Sequence, residues 1–240
     1  MEILGSGSYG KVYVYKSNPK LAIKTIKYET ASLLERSGEL KSVTEGHPYL
    51  ATVKACYING YNVTIKMIRY IGDVHQYMIN SGLKLNLELT LRLEGQIGSA
   101  VEYLHNKNIL HADIKPENVL HDEGLNFYLT DFSLSMDMKS EQLHRPEQIY
   151  AAFFRPPVLN YNDQIRDKNG LRKEYDFYAL FMTLYFVYKG LYIGKPDSTL
   201  YEQIENSYIF ICEEFPRLML LDFTNLRYKH MFYEAFRICM

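Results

Sequence analysis

His111-Ala112-Asp113-Ile114-Lys115-Pro116-Glu117-Asn118-Val119-Leu120, followed downstream by Thr130-Asp131-Phe132-Ser133, sets an Asp, a Lys, an Asn and a second Asp in the order a phosphoryl-transfer site uses. Asp113 can orient a hydroxyl nucleophile, and Lys115 can meet the γ-phosphate. Asn118 and Asp131 offer the hard oxygen donors that suit Mg²⁺. A single loop Asp is more often a helix cap or a turn acid. Several matched residues in one short run make that reading inadequate here.

Upstream, Gly5-Ser6-Gly7-Ser8-Tyr9-Gly10-Lys11-Val12 spaces its glycines so that the backbone can turn tightly and bring N–H groups to phosphate oxygens. Alone the pattern is weak, because a dinucleotide-binding turn shares the spacing. That rival needs a helix next, whereas Lys11 to Tyr15 alternates like a strand. Leu21 to Ile26 reads as the following strand, after an Asn18-Pro19 turn, and carries Lys24. Leu50 to Tyr57 and Tyr61 to Ile68 read as a hairpin tipped by Asn59-Gly60. One helix, Ala31 to Val43, interrupts the strands.

Beyond Gly72 the periodicity turns helical. Asp73 to Ile79 reads as a short helix. Leu87 to Asn106 reads as a long one with Leu91, Ile97, Val101 and Leu104 on its apolar face. Asp176 to Lys189 is apolar nearly all round and is therefore expected to be buried. A small strand-rich lobe joined near Ile68 to Gly72 to a larger helical one leaves a cleft as the natural ligand site.

Composition narrows the class. At 240 residues and 47% hydrophobic, the chain can bury one sizeable core or two small lobes. Its 27 basic and 28 acidic residues balance, so no nucleic-acid or membrane-surface partner is indicated. Cys56, Cys212 and Cys239 lie far apart without a C-x-x-C pair, which argues against a disulfide framework or zinc site and for a reducing compartment. No secretory signal is read at Met1 to Gly5. The longest apolar run, Tyr178 to Tyr188, is well short of the ~20 residues a membrane span needs. The expectation is an intracellular protein of cytoplasm or nucleus.

Together these residues resemble the eukaryotic-type protein kinase family, Ser/Thr type, in compact and divergent form, with His-Ala-Asp for H-R-D and Asp-Phe-Ser for D-F-G. The likeness covers residues 3 to about 190 well and the rest loosely. It implies an α+β, bilobal, kinase-like fold: a single domain over 1–240, with a small β-rich N-lobe (1–69) and a larger, mainly helical C-lobe (70–240) whose C-terminal end is shortened. It implies ATP with Mg²⁺, or Mn²⁺ in its place, and a protein substrate bearing Ser or Thr. Gly5, Ser6, Gly7, Ser8, Tyr9 and Gly10 would cover the phosphates, and Lys24, in the Ala22-Ile23-Lys24 strand, would bridge the α- and β-phosphates. Val12, Ala22 and Leu120 would sandwich the purine. Met67 would close the back of its pocket, Ile68 to Tyr70 would meet the adenine edge, and Asp73 would lie near the ribose. Asp113 would be the base, Lys115 the phosphate-neutralising cation, and Asn118 and Asp131 the metal ligands. Lys24 needs a helix Glu, for which Glu35, Glu39 and Glu45 are candidates. Glu39 is preferred, since apolar Val43 lies one turn beyond it, and His47-Pro48 follows at nearly the family distance.

Four departures from the family pattern fall in supporting positions. Ala112 removes the Arg that pairs with a phosphorylated activation loop, and His144-Arg145-Pro146-Glu147 offers no hydroxyl near the middle of that segment. Ser133 stands where the family has Gly, so altered loop flexibility is expected. Ala151 replaces a Thr that fixes the catalytic Asp and Lys. Phe154 to Leu159 lacks the family's anchoring Glu, so Arg227 is expected to be more exposed or to find another acid. Asp176 matches an Asp that ties the catalytic loop to its helix, or is simply an N-terminal helix acid. The leading reading is an active Ser/Thr kinase not switched by its own loop phosphate. The alternative is a pseudokinase that acts as a nucleotide-binding or interaction module, and a small-molecule phosphotransferase is a third class. The trimmed length points to a reduced genome, viral or parasitic, with the host cell as its compartment if viral. The shortened C-lobe points to a regulatory partner or a dimer.

Overall fold

The computed structural model describes residues 2–7, 10–82, 84–139, 151, 154–159, 172–190 and 226–239. Five antiparallel strands form the first layer: β1 (Glu2–Gly7), β2 (Gly10–Tyr15), β3 (Asn18–Lys27), β4 (Val53–Asn59) and β5 (Asn62–Ile68), in the order β1-β2-β3-β5-β4. The hairpin forms, but its tip is Gly60-Tyr61 rather than Asn59-Gly60, because Asn59 pairs with Asn62; Gly60 has φ +58°, a left-handed value that glycine adopts without a Cβ penalty. Register sets the site. Ala22 pairs with Val14 on one side and Met67 on the other, and Lys24 lies between Val12 and Ile65.

The single helix expected over Ala31 to Val43 is instead two short ones, α1 (Leu33–Ser37) and α2 (Leu40–Glu45). Ser32 and Glu35 form a reciprocal capping box that starts α1, and Gly38, at φ +79°, ends it. Leu34, Leu40 and Val43 turn inward onto the sheet side of the core.

The second lobe opens with β6 (Gly72–Asp73) and α3 (Val74–Ser81), whose N-cap Asp73 accepts from Gln76 N at 2.8 Å. The long helix α4 spans Leu87–Asn106, started by Asn86, whose side chain accepts from Leu89 N at 2.9 Å. Ile97, Val101 and Leu104 are buried as expected, but Leu93 rather than Leu91 fills the core. Short strands β7 (Ile109–Leu110), β8 (Val119–His121), β9 (Phe127–Leu129) and β10 (Met136–Asp137) follow. β6, β8 and β9 make one small sheet, and β7 pairs with β10.

Helix α5 (Lys173–Lys189) packs between α4 and α6 (Leu226–Cys239). Every residue from Tyr175 to Val187 is buried, which explains why its sequence shows no polar face. Gly98 of α4 lets the Tyr228 ring of α6 approach so closely that a Cβ there would lie 2.6 Å from it. The fold is thus α+β with an antiparallel sheet in one lobe and helices in the other. No helix among the described residues is long and apolar enough to cross a membrane. The segment His144 to Glu147, the side chain of Arg227 and the stretch proposed as a partner surface lie outside the described residues.

Candidate active site

Two loops meet beneath the sheet because the backbone joins them. Thr130 N donates to Asn118 O at 3.0 Å, and the His111 ring, through Nε2, lies 2.9 Å from Thr130 O. The loop carrying Asp113 is held from behind by Asp176, fully buried in the first turn of α5. Its carboxylate accepts from His111 N at 2.8 Å and Ala112 N at 2.9 Å, and pairs with His105 Nε2 at 2.9 Å. Burial would raise the Asp176 carboxyl, but these hydrogen bonds and the His105 ring bring it below its ordinary value. Ala112 sits at φ +64°, a strained conformation for a residue with a Cβ, and its N–H is one of those Asp176 holds.

Asp113 is nearly buried. Lys115 Nζ donates to its Oδ2 at 2.8 Å, and Asn118 Nδ2 donates to both its Oδ2 and its backbone O, each at 2.8 Å. Oδ1 accepts from no group among the described residues and is the oxygen left for a substrate. Burial pushes the Asp113 carboxyl up by more than Lys115 and His111 pull it down. Because Asn118 spends its amide nitrogen on Asp113, its carbonyl oxygen is the atom free to meet a cation.

Asp131 adopts φ +61° and forms a 2.5 Å ion pair with Lys24 Nζ. Burial alone would raise its carboxyl, but Lys24 and the Ser133 hydrogen bonds hold it at about 2. Ser133 itself carries no positive φ, so its backbone does not need the freedom of a glycine; the left-handed backbone lies at Asp131 instead.

The acidic partner facing Lys24 is Glu35, at 3.8 Å and 1% exposed, not Glu39. Glu39 is exposed at the N-cap of α2, and Glu45 pairs with Lys41 at 2.6 Å on the surface. Gly38 separates Glu39 from α1, so its turn-by-turn relation to Val43 belongs to a different helix. The signal that points to Glu35 is local: Ser32-x-x-Glu35 ahead of the Gly38 stop.

Between the lobes lies a cavity of about 380 Å³. Val12, Ala22, Met67 and Leu120 line it together with Lys24, Asn118 and Asp131 and with Ile68, Tyr70 and Asp73. Leu4, Gln76 and Glu117 also line it; no motif marks them, and they enter only because their strand, helix and loop border the cleft. Ile68 N and Arg69 N already donate to Thr52 O and Lys20 O, at 3.0 and 2.9 Å. Of the N–H groups expected along Ile68 to Tyr70, only that of Tyr70 lacks an acceptor among the described residues. Gly5, Ser6 and Gly7 lie in β1 opposite Val12, Lys11 and Gly10, while Ser8 and Tyr9 are outside the described residues.

A model of the protein kinase domain matches residues 1–223. The chain belongs to the protein kinase family. It is 29% identical over 217 residues to NUAK family SNF1-like kinase 2 of Rattus norvegicus, covering 86% of this chain and 33% of the relative. It is 28% identical over 225 residues to serine/threonine-protein kinase dkf-1 of Caenorhabditis elegans, covering 88% and 30%. Over a shorter 144 residues, 56% of this chain and 23% of the relative, it is 33% identical to the carbon catabolite-derepressing protein kinase of Candida glabrata. The chain spans about a third or less of the length of these relatives. The loop held by Asp176 carries Ala112, and Ala151 packs its side chain against the core while its backbone oxygen accepts from Phe154 N at 2.8 Å.

Proposed function

We propose that the chain is a serine/threonine protein kinase, which transfers the γ-phosphoryl group of ATP to protein hydroxyls inside the cell. The observation that carries this reading is the Asp113 carboxylate, fixed by Lys115 and Asn118, beside a cavity that also holds Lys24 and Asp131. Lys115 two residues after Asp113, together with a relative named as a Ser/Thr kinase, favours Ser and Thr over Tyr.

The cavity fits a nucleotide. Its apolar walls suit a purine, the Tyr70 N–H suits the purine edge, and Lys24 suits the phosphates. Mg²⁺ fits too, since Asn118 Oδ1 and an Asp131 carboxylate ionised down to about pH 2 are hard oxygen donors. The ion, when bound, neutralises charge on the phosphate oxygens. The protein's own part is positional. Asp113 Oδ1 orients the substrate hydroxyl and takes its proton as the new bond forms. Lys115, already on the other oxygen of Asp113, would neutralise charge on the transferred phosphoryl group. Lys24 gives up Asp131 as phosphates compete for the same ammonium. Position 112, where an arginine would meet a loop phosphate, is an alanine, which supports activity without that switch.

The test is transfer of label from ATP to a basic protein substrate, with Asp113→Asn as the blank. Magnesium-dependent labelling above the blank is expected. A chain that is thermally stabilised by Mg-ATP yet labels nothing is a nucleotide-binding pseudokinase instead. Asp131→Ala should abolish the extra stabilisation that Mg²⁺ adds to nucleotide while keeping metal-free binding, because Lys24, still held by Ser133 and faced by Glu35, is then released from Asp131 to meet the phosphates. Thermal shift with and without chelator checks this, and an unchanged magnesium effect would remove Asp131 from the metal site.

The acid limb of kcat/KM should report Asp113. In Lys115→Ala the charge that pulls this carboxyl down is lost, so the limb moves to higher pH. Residual rates of that variant across roughly pH 4 to 8 decide the point. A limb in the wild-type position assigns the titration to another group.

A further inference from the structure

One hydroxyl joins three parts of the site. Ser133 Oγ accepts from Lys24 Nζ at 2.8 Å and donates to Glu35 Oε1 at 3.2 Å, and the residue is 6% exposed. Lys24 and Glu35 stand 3.8 Å apart, beyond direct hydrogen-bond reach, so the serine is the hydrogen-bonded link between them. Two residues on, Ser135 Oγ donates to Phe132 O at 2.7 Å and lies 3.3 Å from Ser32 Oγ, the N-cap of α1. The loop after Asp131 therefore holds α1 through the Ser133 hydroxyl at Glu35, with Ser135 Oγ in contact with the cap.

That grip has a physical reason. Helix α1 has five residues, too few to hold a conformation by its own hydrogen bonds. The glutamate it must aim at Lys24 is buried, and burial raises its carboxyl against the opposing effect of Lys24. A donor on Glu35 Oε1 and an acceptor for Lys24 are what such a pair needs at a separation of 3.8 Å. Glycine, the residue of the family pattern, supplies neither.

We propose that Ser133 is a positioning residue whose hydroxyl bridges Lys24 to Glu35 and locks α1 onto the Asp131 loop before nucleotide binds. The inference uses the kinase reading only for what Lys24 does with phosphates; the bridge stands without it.

The test compares Ser133→Ala and Ser133→Gly, which remove the hydroxyl, with Ser133→Thr, which keeps it. Without nucleotide, amide exchange across residues 32–38 should quicken about tenfold in the Ala and Gly variants and stay near wild type in Thr, the size expected for one hydrogen bond to a charged group. The Kd for Mg-ATP should rise by about the same factor in Ala and Gly and recover in Thr. Where transfer is measured, KM for ATP should rise while kcat changes by less than about threefold. Wild-type exchange in Ser133→Ala overturns the proposal, as does a Thr variant as loose as Ala. If the wild-type chain binds nucleotide but transfers nothing, the kinase reading fails while exchange and affinity still decide on Ser133. If it binds no nucleotide, exchange alone decides.

Discussion

Asp113→Asn should lower kcat about a thousandfold, within the usual range for removing a positioned general base, and leave the Kd for Mg-ATP within about twofold. Asparagine matches aspartate in shape, so its single oxygen can keep the bonds from Lys115 Nζ and Asn118 Nδ2, both 2.8 Å in the wild type. The amide nitrogen then takes the place of Oδ1 and faces the substrate hydroxyl with a donor. Such a group can neither orient the hydroxyl's proton nor accept it. Asp113 does not line the nucleotide cavity, which is why binding is spared. Single-turnover transfer and calorimetric affinity, measured on the same preparation, separate the two effects. A fall in kcat of less than about tenfold would show that positioning by Lys115 and the metal ligands dominates and that proton acceptance matters little.

What could be read in the sequence follows the range of the interactions involved. Strands β2 to β5 declare themselves by alternation, and the bounds of α4 are set by Asn86 at one end and the turn at Lys107 and Asn108 at the other. Asp113, Lys115 and Asn118 contact one another within a few residues, so a short motif records their geometry. Ser133 is the opposite case. Its partners Lys24 and Glu35 lie 109 and 98 residues away, and nothing near Ser133 encodes where they fall. The substitution reads locally as a restriction on backbone freedom, whereas its hydroxyl is what the structure uses. Glu35 was legible in principle, since the Ser32 cap and Gly38 stop are local signals that outrank helical spacing. The occupied N–H groups of Ile68 and Arg69 were not, because their acceptors sit on separate segments at Thr52 and Lys20.

The strained loop and its support lead to the largest expected loss of stability. Asp176→Ala should cost about 4 kcal/mol, the usual range for removing one partner of a buried charged group. For a domain of this size that is a drop of roughly 8 to 16 °C in Tm. Two backbone N–H groups, of His111 and Ala112, lose their acceptor, and His105 loses the partner of its Nε2. None of the three has water at hand, since Asp176 is fully buried. Ala112 also loses the contact that holds its φ of +64°, so the loop can relax and carry Asp113 out of place. The variant should therefore lose kcat even at temperatures where it remains folded. Asp176→Asn is the discriminating control. Its oxygen can keep Ala112 N, and its amide can donate to His105 in the other ring tautomer, while His111 N goes unpaired. About half the loss is expected, roughly 2 kcal/mol. The pH dependence has a definite sign. An acid whose folded pKa is depressed adds stability that is full above its unfolded pKa, near 4, and is lost as pH falls through the lower folded value. The gap in Tm between wild type and Asp176→Ala should accordingly be constant from about pH 5 to 7 and narrow below about pH 4. A gap that ignores acid would mean that packing around α5, rather than the carboxylate's hydrogen bonds, accounts for the loss.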